Sequence, residues 1–324
     1  MKNALCVKGI AGAAFGALTL AVLAACDPGV AEPASPAPEA ISVVVPAQPT
    51  FTAEGIAALE ARMGKYVADG QLYSIHTKLV QDGNVISDFK TGLVGLEDRK
   101  PVADDTIYRI YSMTKPITGV AMMMLWEEGK FGLDDPVTKY IPEFEGLRVL
   151  DGTNEDGTPK LVAAERAPTM RELMSHTAGF AYGLTGADPA NTAFRDNEIL
   201  RAPDLQTFID KVADVPLLFQ PGEAWAYSAA VDIQGYVIEK LSGQSFGDFL
   251  DTRIFTPLGM TDTGFYAPAE DYDRLSEVYG ITQKPASLFP LHIRVFNFAR
   301  KRSRWNLAGA ALSRQWVTIL TLPR

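Results

Sequence analysis

Ser112-Met113-Thr114-Lys115 is the stretch of this chain with the clearest chemical content. A serine hydroxyl is a weak nucleophile until a neighbouring group takes its proton, and a lysine held beside it can do so. The pattern lies where a short extended run, Thr106 to Ile110, meets a helical one. On the first turn of a helix, positions i and i+3 share a face, so the Lys115 ammonium can approach the Ser112 hydroxyl. The positive end of the helix dipole also favours the alkoxide that develops there. A second Ser-x-x-Lys, Ser87 to Lys90, serves as an internal control. It falls in a predicted strand, where i and i+3 point to opposite faces, so it is expected to be inert.

Rival chemistries are weaker. A Ser-His-Asp relay needs a histidine, and there are three: His76 in a predicted strand, His176 in a turn segment and His292 near the C-terminus. All three read as structural. No His, Asp or Glu group has metal-ligand spacing, so no metal site is expected. Gly243-Gln244-Ser245-Phe246-Gly247 matches the Gly-x-Ser-x-Gly elbow, but that motif needs a strand before it and a helix after it. Here a helix precedes it, and Ser245 with Asp248 reads as a helix cap.

The elements that must position Ser112 can be traced by periodicity. Thr52 to Ala68 spaces Ile56, Leu59, Met63 and Val67 as a helix behind a capping threonine. Leu72 to Gln81 and Asn84 to Val94 predict two strands joined at Asp82-Gly83. Thr114 to Glu128 predicts a helix with Ile117, Val120, Ala121, Met124 and Leu125 on one face and Gly129 as its stop. Met122, Met123 and Met124 read as core filling. Residues 130 to 225 read as mixed helix and loop, and Val231 to Leu241 as a further apolar helix.

The run Tyr108-Arg109-Ile110-Tyr111-Ser112-Met113-Thr114-Lys115-Pro116 resembles the nucleophile segment of serine hydrolases related to class C β-lactamases and penicillin-binding proteins. Four more segments match in the same order: Phe131 to Val137, Thr169 to Phe180, Pro221-Gly222-Glu223 with Tyr227-Ser228-Ala229, and Phe255 to Thr263. The resemblance covers roughly residues 52 to 282. It implies an α/β, β-lactamase/transpeptidase-like fold: an antiparallel sheet built from both chain ends, flanked by helices, with a mostly helical subdomain. It makes Ser112 the nucleophile, Lys115 and Tyr227 the proton-moving pair, and the Ser112 backbone N–H one donor of the oxyanion hole. His176 would be structural. The implied reaction is acyl-enzyme formation on a small ester, amide or peptide-like substrate, without a cofactor. The family usually has Tyr-x-Asn where this chain has Tyr227-Ser228-Ala229. Loss of that amide-binding side chain leans toward an esterase rather than a β-lactamase.

Composition bounds the rest. The 324 residues are 47% hydrophobic, enough for a real core. The net charge of −9 argues against nucleic-acid partners, which require clustered cations. Residues 1–26 read as a lipoprotein-type signal: Lys2 and Lys8, an apolar run, then Leu23-Ala24-Ala25-Cys26. Lipidation at Cys26 would make a lipid anchor the link to a membrane and place the protein in the periplasm or cell envelope. Residues 27–51, rich in Pro and Ala, predict an extended linker. The hydrolase domain is then expected over 52–284.

Residues 285–324 contain no Asp or Glu and seven Lys or Arg, while every acidic residue lies before them. Permitted codons for residues 304–318, read from the third base, can encode an acidic, Gly-rich stretch resembling the one that follows this point in the family. The expectation is an aberrant basic tail produced by a frameshift. The third catalytic motif and half the oxyanion hole would then be lost, and activity impaired. A non-catalytic surface lipoprotein binding cell-wall peptides or a partner is the competing reading, and an α/β-hydrolase acting through Ser245 a third. Oligomeric state is not legible in the sequence.

Overall fold

A computed structural model of the chain describes residues 50–281 apart from Asp98 and Thr185, with backbone alone at 280–281, 288–290 and 319–320. Cys6, Cys26, the predicted linker up to residue 49, His292 and most of the basic tail lie outside the described residues.

The chain enters through helix α1 (Ala53–Ala68), whose N-cap Thr52 accepts the Gly55 N–H at 3.0 Å. Strands β1 (Ser74–Gln81) and β2 (Asn84–Gly92) follow as an antiparallel hairpin. Its turn residues, Asp82 and Gly83, both have positive φ, 52° and 77°, which suits the twist of a two-residue hairpin. Strand β3 (Tyr108–Arg109) leads into a single 3-10 turn, Tyr111–Met113, and then into helix α2 (Thr114–Glu127). Gly129, at φ 69°, ends that helix as expected.

A helical body follows. After the hairpin β4 (Arg148–Thr153) and β5 (Pro159–Ala163) come α3 (Met170–Met174), α4 (Pro189–Asp196), α5 (Leu205–Ala213), α6 (Ala230–Ser242) and α7 (Phe246–Leu250). Asp188 caps α4 and Asp204 caps α5 through their carboxylates. Helix α6 is the axis of this body: every residue from Ala230 to Ile238 is buried. It packs against α2, α3, α5 and α7. The fully buried aromatics Phe144, Phe208, Phe246 and Phe249 join it in one hydrophobic cluster reaching from Ala121 to Phe255.

Among the described residues the strands form four two-stranded ladders. The first is the local β1–β2 hairpin; the second pairs β3 with β8 (Ile319–Leu320) and so joins segments from distant parts of the chain. A parallel bridge from Ile107 to Leu275 lies just ahead of β3. The fourth ladder joins β6 (Tyr279–Ile281) to β7 (Leu288–Pro290). Helices and antiparallel strands thus combine as an α/β architecture. No described helix is long and apolar enough to cross a membrane.

Two expectations need correction. Residues 130–225 hold the β4–β5 hairpin as well as helices and loops. Only Val149 of its residues is buried, so the strands lack a strong alternating pattern; Val149 instead bridges to Leu217 in the helical body. On α2 the inward stripe is Thr114, Thr118, Ala121, Met122 and Leu125, while Val120 is 53% exposed. Threonine can occupy a buried stripe because its hydroxyl bonds back to the helix: Thr118 Oγ1 donates to the Thr114 carbonyl at 3.3 Å. An apolar-only reading of the face misses such residues.

Candidate active site

Three segments build the site. The first is the junction of the 3-10 turn and α2. Tyr111 takes φ 45°, a left-handed conformation uncommon for a side chain of its size. That reversal presents Ser112 at the surface while the next helical residue, Thr114, is fully buried. Ser112 and Lys115 stand one turn apart on the same face, and Lys115 Nζ lies 3.4 Å from Ser112 Oγ. The i,i+3 argument from the sequence therefore holds in three dimensions.

The second and third segments, residues 176–181 and 217–229, are stitched together by backbone hydrogen bonds. Leu218, Gly222, Ala226 and Ala229 donate to the carbonyls of Gly179, Thr177, His176 and Ala181 at 2.7, 2.9, 3.0 and 3.1 Å. The approach is close enough to require glycine twice. A Cβ at Gly179 (φ 89°) would sit 2.6 Å from the Phe219 carbonyl, and one at Gly222 (φ 90°) would sit 2.7 Å from Glu172 Oε1. Upstream, Thr169 and Glu172 form a capping box on α3, and Arg166 pairs with Glu172 and the Pro221 carbonyl. Glu172 is held below its ordinary value: burial opposes the shift, and the bonds from Arg166 and Thr169 outweigh it.

This stitching carries Tyr227 to Ser112. Their oxygens are 2.6 Å apart across 115 residues of sequence. Lys115 Nζ lies 4.9 Å from the Tyr227 ring centre and 5.4 Å from that of Tyr182. The ammonium is thus held against two aromatic faces, a favourable cation–π arrangement. The His176 ring stacks on Tyr227 at 5.4 Å and 24°. Tyr182 meets Tyr227 edge-on at 5.6 Å, and Trp225 sits 6.5 Å from it. Burial, and then the nearby Lys115 charge, lowers His176 from its ordinary value, which favours the neutral ring.

All three residues expected to carry chemistry thus converge. Tyr182 and Trp225 complete the surroundings, and sequence reasoning did not single them out. For Trp225, its place two residues before Tyr227 was the signal visible in the sequence; the structure leaves it 63% exposed. Ala229, where the related proteins usually have Asn, is fully buried at the N-cap of α6, and its methyl offers no hydrogen bond.

The other candidates fall away. Ser87 is buried and donates to Glu60 Oε1 at 2.6 Å, while Lys90 pairs with Asp88 and Asp104. Ser245 caps α7, accepting the Asp248 N–H at 3.1 Å, and no strand leads into it. One group does have metal-ligand proximity: His76, Asp88 and Asp104 place ligand atoms within 4.8 Å of one another. Lys90 Nζ already bridges the two carboxylates at 2.8 and 2.5 Å, and Lys78 approaches Asp88 at 3.4 Å. The hydrogen bond from Lys90, with those of His76 and the Lys78 charge, holds Asp88 far below the usual carboxylate range against its desolvation. The cluster is charge-balanced by ammonium groups and reads as an ion-pair network.

Comparison with known proteins places the chain in a family and a fold. The family model described as Beta-lactamase matches residues 57–310. Protein Rv1367c of Mycobacterium tuberculosis is 35% identical over 184 residues, 57% of this chain and 45% of the relative. Esterase EstB of Burkholderia gladioli is 32% identical over 212 residues, 64% of this chain and 51% of the relative. The chain therefore spans about half the length of the curated relatives it matches. Among solved structures, EstCE1, described as a hydrolase with promiscuous acyltransferase activity, superposes with a TM-score of 0.64 at 25% identity, covering 83% of this chain and 69% of that one. With most of its length matched by the family model and its architecture shared with such a structure, the chain belongs to the Beta-lactamase family and has the β-lactamase/transpeptidase-like fold.

Proposed function

We propose that the protein is a serine hydrolase that transfers acyl groups through Ser112, with esters favoured over β-lactams. The observation that carries this reading is the 2.6 Å contact between Ser112 Oγ and Tyr227 Oη, with the Lys115 ammonium beside both. Ser112 Oγ attacks the acyl carbonyl, and its proton leaves along the contact to the Tyr227 oxygen. Tyr227 can accept it only as a phenolate, and Lys115 supplies the positive charge that this form needs. The Ser112 backbone N–H donates to the oxyanion. Collapse of the tetrahedral adduct breaks the bond to the leaving alcohol, which takes the proton from Tyr227. Water then repeats the steps in reverse and frees the acid, or a second alcohol takes the acyl group. No cofactor enters these steps.

Ala229 supports the preference for esters, since a methyl cannot hold a substrate amide. The printed functions of EstB and EstCE1, an esterase and a hydrolase with acyltransferase activity, support it as well. The same reading places the protein in the cell envelope through Cys26, testable by metabolic labelling with palmitate. It also takes residues 285–324 as translated in a shifted frame, with impaired turnover as the consequence; resequencing the gene through these codons tests that.

The decisive experiment is reaction with a fluorescent acyl phosphonate, followed by peptide mapping. Label on Ser112 that disappears in Ser112→Ala is the expected result. An unreactive Ser112 would favour the non-catalytic lipoprotein, and label on Ser245 the α/β-hydrolase.

A further inference from the structure

We propose that His176 is a positioning residue for Tyr227 and performs that role only as the neutral tautomer with its proton on Nε2. The hydrogen bonds around His176 Nδ1 favour one pattern. The Ser228 backbone N–H can only donate, and it points at His176 Nδ1 at 3.2 Å. Nδ1 must therefore carry a lone pair. The Ser228 hydroxyl, 3.0 Å from the same nitrogen, can donate to that lone pair; the opposite tautomer could donate to the hydroxyl but would set its Nδ1–H against the Ser228 N–H. Ser228 is buried, so its N–H has no access to water as an alternative acceptor.

The ring so fixed lies flat against Tyr227, and Trp225 meets it edge-on at 5.9 Å. The backbone holds it there as well. His176 takes φ 61°, and its carbonyl accepts the Ala226 N–H at 3.0 Å. His176 thus couples to the residue before Tyr227, to the residue after it and to the Tyr227 ring itself.

Protonation of the ring sets an Nδ1–H against the Ser228 N–H, donor against donor. The titratable groups that face the ring are Lys115 of α2 and Tyr227, and the Lys115 charge opposes a second cation. The Ser228 N–H therefore pushes an imidazolium away from this position. The ring then withdraws the face on which Tyr227 rests, and the contact between Tyr227 and Ser112 opens. His176 therefore gates the nucleophile by pH: present in its working form at neutral pH, lost as the medium becomes acid.

This inference rests on Tyr227 serving Ser112, and the test separates the two. In protein carrying 15N-histidine and ring-13C tyrosine, the spectrum lost in His176→Asn identifies His176, and the one lost in Tyr227→Phe identifies Tyr227. At pH 7.5 the expected His176 pattern is the Nε2–H tautomer. On acidification the Tyr227 ring resonance is expected to move with the His176 titration, at a midpoint below about 6.5. An Nδ1–H tautomer, an imidazolium at pH 7.5, or a Tyr227 resonance that ignores the titration overturns the proposal, whether or not Ser112 reacts.

The second arm measures Ser112 phosphonylation against pH. The unsubstituted protein should slow about tenfold for each pH unit below the midpoint. Asn tolerates the left-handed backbone, offers a carbonyl acceptor to Ser228 and does not titrate. His176→Asn should therefore react more slowly at pH 7.5 yet lose the acid limb. An acid limb that persists unchanged in His176→Asn counts against His176 as its source.

Discussion

The helical body and the α1–hairpin layer are built to different standards. The helical body buries whole side chains from α2 to α7 in one continuous cluster, with four phenylalanines fully enclosed. In α1 no residue is buried, and Ile56, Leu59, Met63 and Val67 are only half-covered. In β1 no residue is buried either, and in β2 only Ser87 is. The layer is held by half-buried apolar contacts and by charge networks such as Lys90 with Asp88 and Asp104. Ser112, Lys115, His176 and Tyr227 all belong to the helical side. Their geometry is set by the better-packed region, because the 2.6 Å contact between Ser112 and Tyr227 needs neighbours that do not shift.

The contrast can be broken at several points. The largest effect is expected at the site itself. Tyr227→Phe keeps the ring against His176 but removes the proton path, and Ser112 phosphonylation should slow by roughly 10²–10⁴-fold. Its melting temperature should hardly change, since Tyr227 is 40% exposed. A stopped-flow labelling rate and a thermal scan on the same sample separate the two. A rate unchanged by the substitution would remove Tyr227 from the chemistry.

Next comes a matched pair of truncations. Phe208→Ala opens a cavity in the helical core and should cost about 3–5 kcal/mol. Leu59→Ala on α1 removes a side chain that is only half-buried, and about 1 kcal/mol is expected from the lost area. Urea unfolding of both variants measures the difference. Equal costs would mean that the two regions are not packed as differently as their burial indicates.

The smallest expected effect lies at the joint between α2 and the helical body. Asp135 accepts bonds from the Tyr140 hydroxyl, Lys139 and the Gly132 N–H, which pull its carboxyl down to about 2. Its folded value is therefore below the unfolded one, about 3.9. The stabilisation is fully present above that unfolded value and is lost as pH falls toward 2. The stability difference between the protein and Asp135→Asn, followed by thermal melting at each pH, should shrink across that window. A difference that stays constant from pH 5 to pH 2 would place the origin of the effect elsewhere.

Local interactions make much of the molecule legible in its residue order. Thr52 capping α1, Asp82-Gly83 turning the hairpin, Gly129 stopping α2 and Ser245 capping α7 each depend on residues within four positions of one another, so composition and spacing suffice to read them. The Ser112–Lys115 pair belongs to the same class, because one helical turn brings the two together. The same logic set aside Ser87 and Lys90 on a strand. The resemblance to a known family added Tyr227, which no spacing rule would reach.

Other features required the tertiary structure. The β4–β5 hairpin hides in the sequence because its burial comes from a single bridge to Leu217 rather than from an alternating face. The convergence of His76, Asp88 and Asp104 depends on strand pairing and on a loop beyond it, and so does the Lys90 that neutralises it. Tyr182, Trp225 and His176 surround Tyr227 because two distant segments are zipped by their backbones, and a backbone hydrogen bond leaves no mark on residue type. The sequence by itself determined the candidate nucleophile Ser112, its near neighbour Lys115 and the elements that carry them. The tertiary structure alone decided which aromatic faces enclose Tyr227 and which groups of Ser228 meet its histidine, because those depend on distances between atoms far apart along the chain.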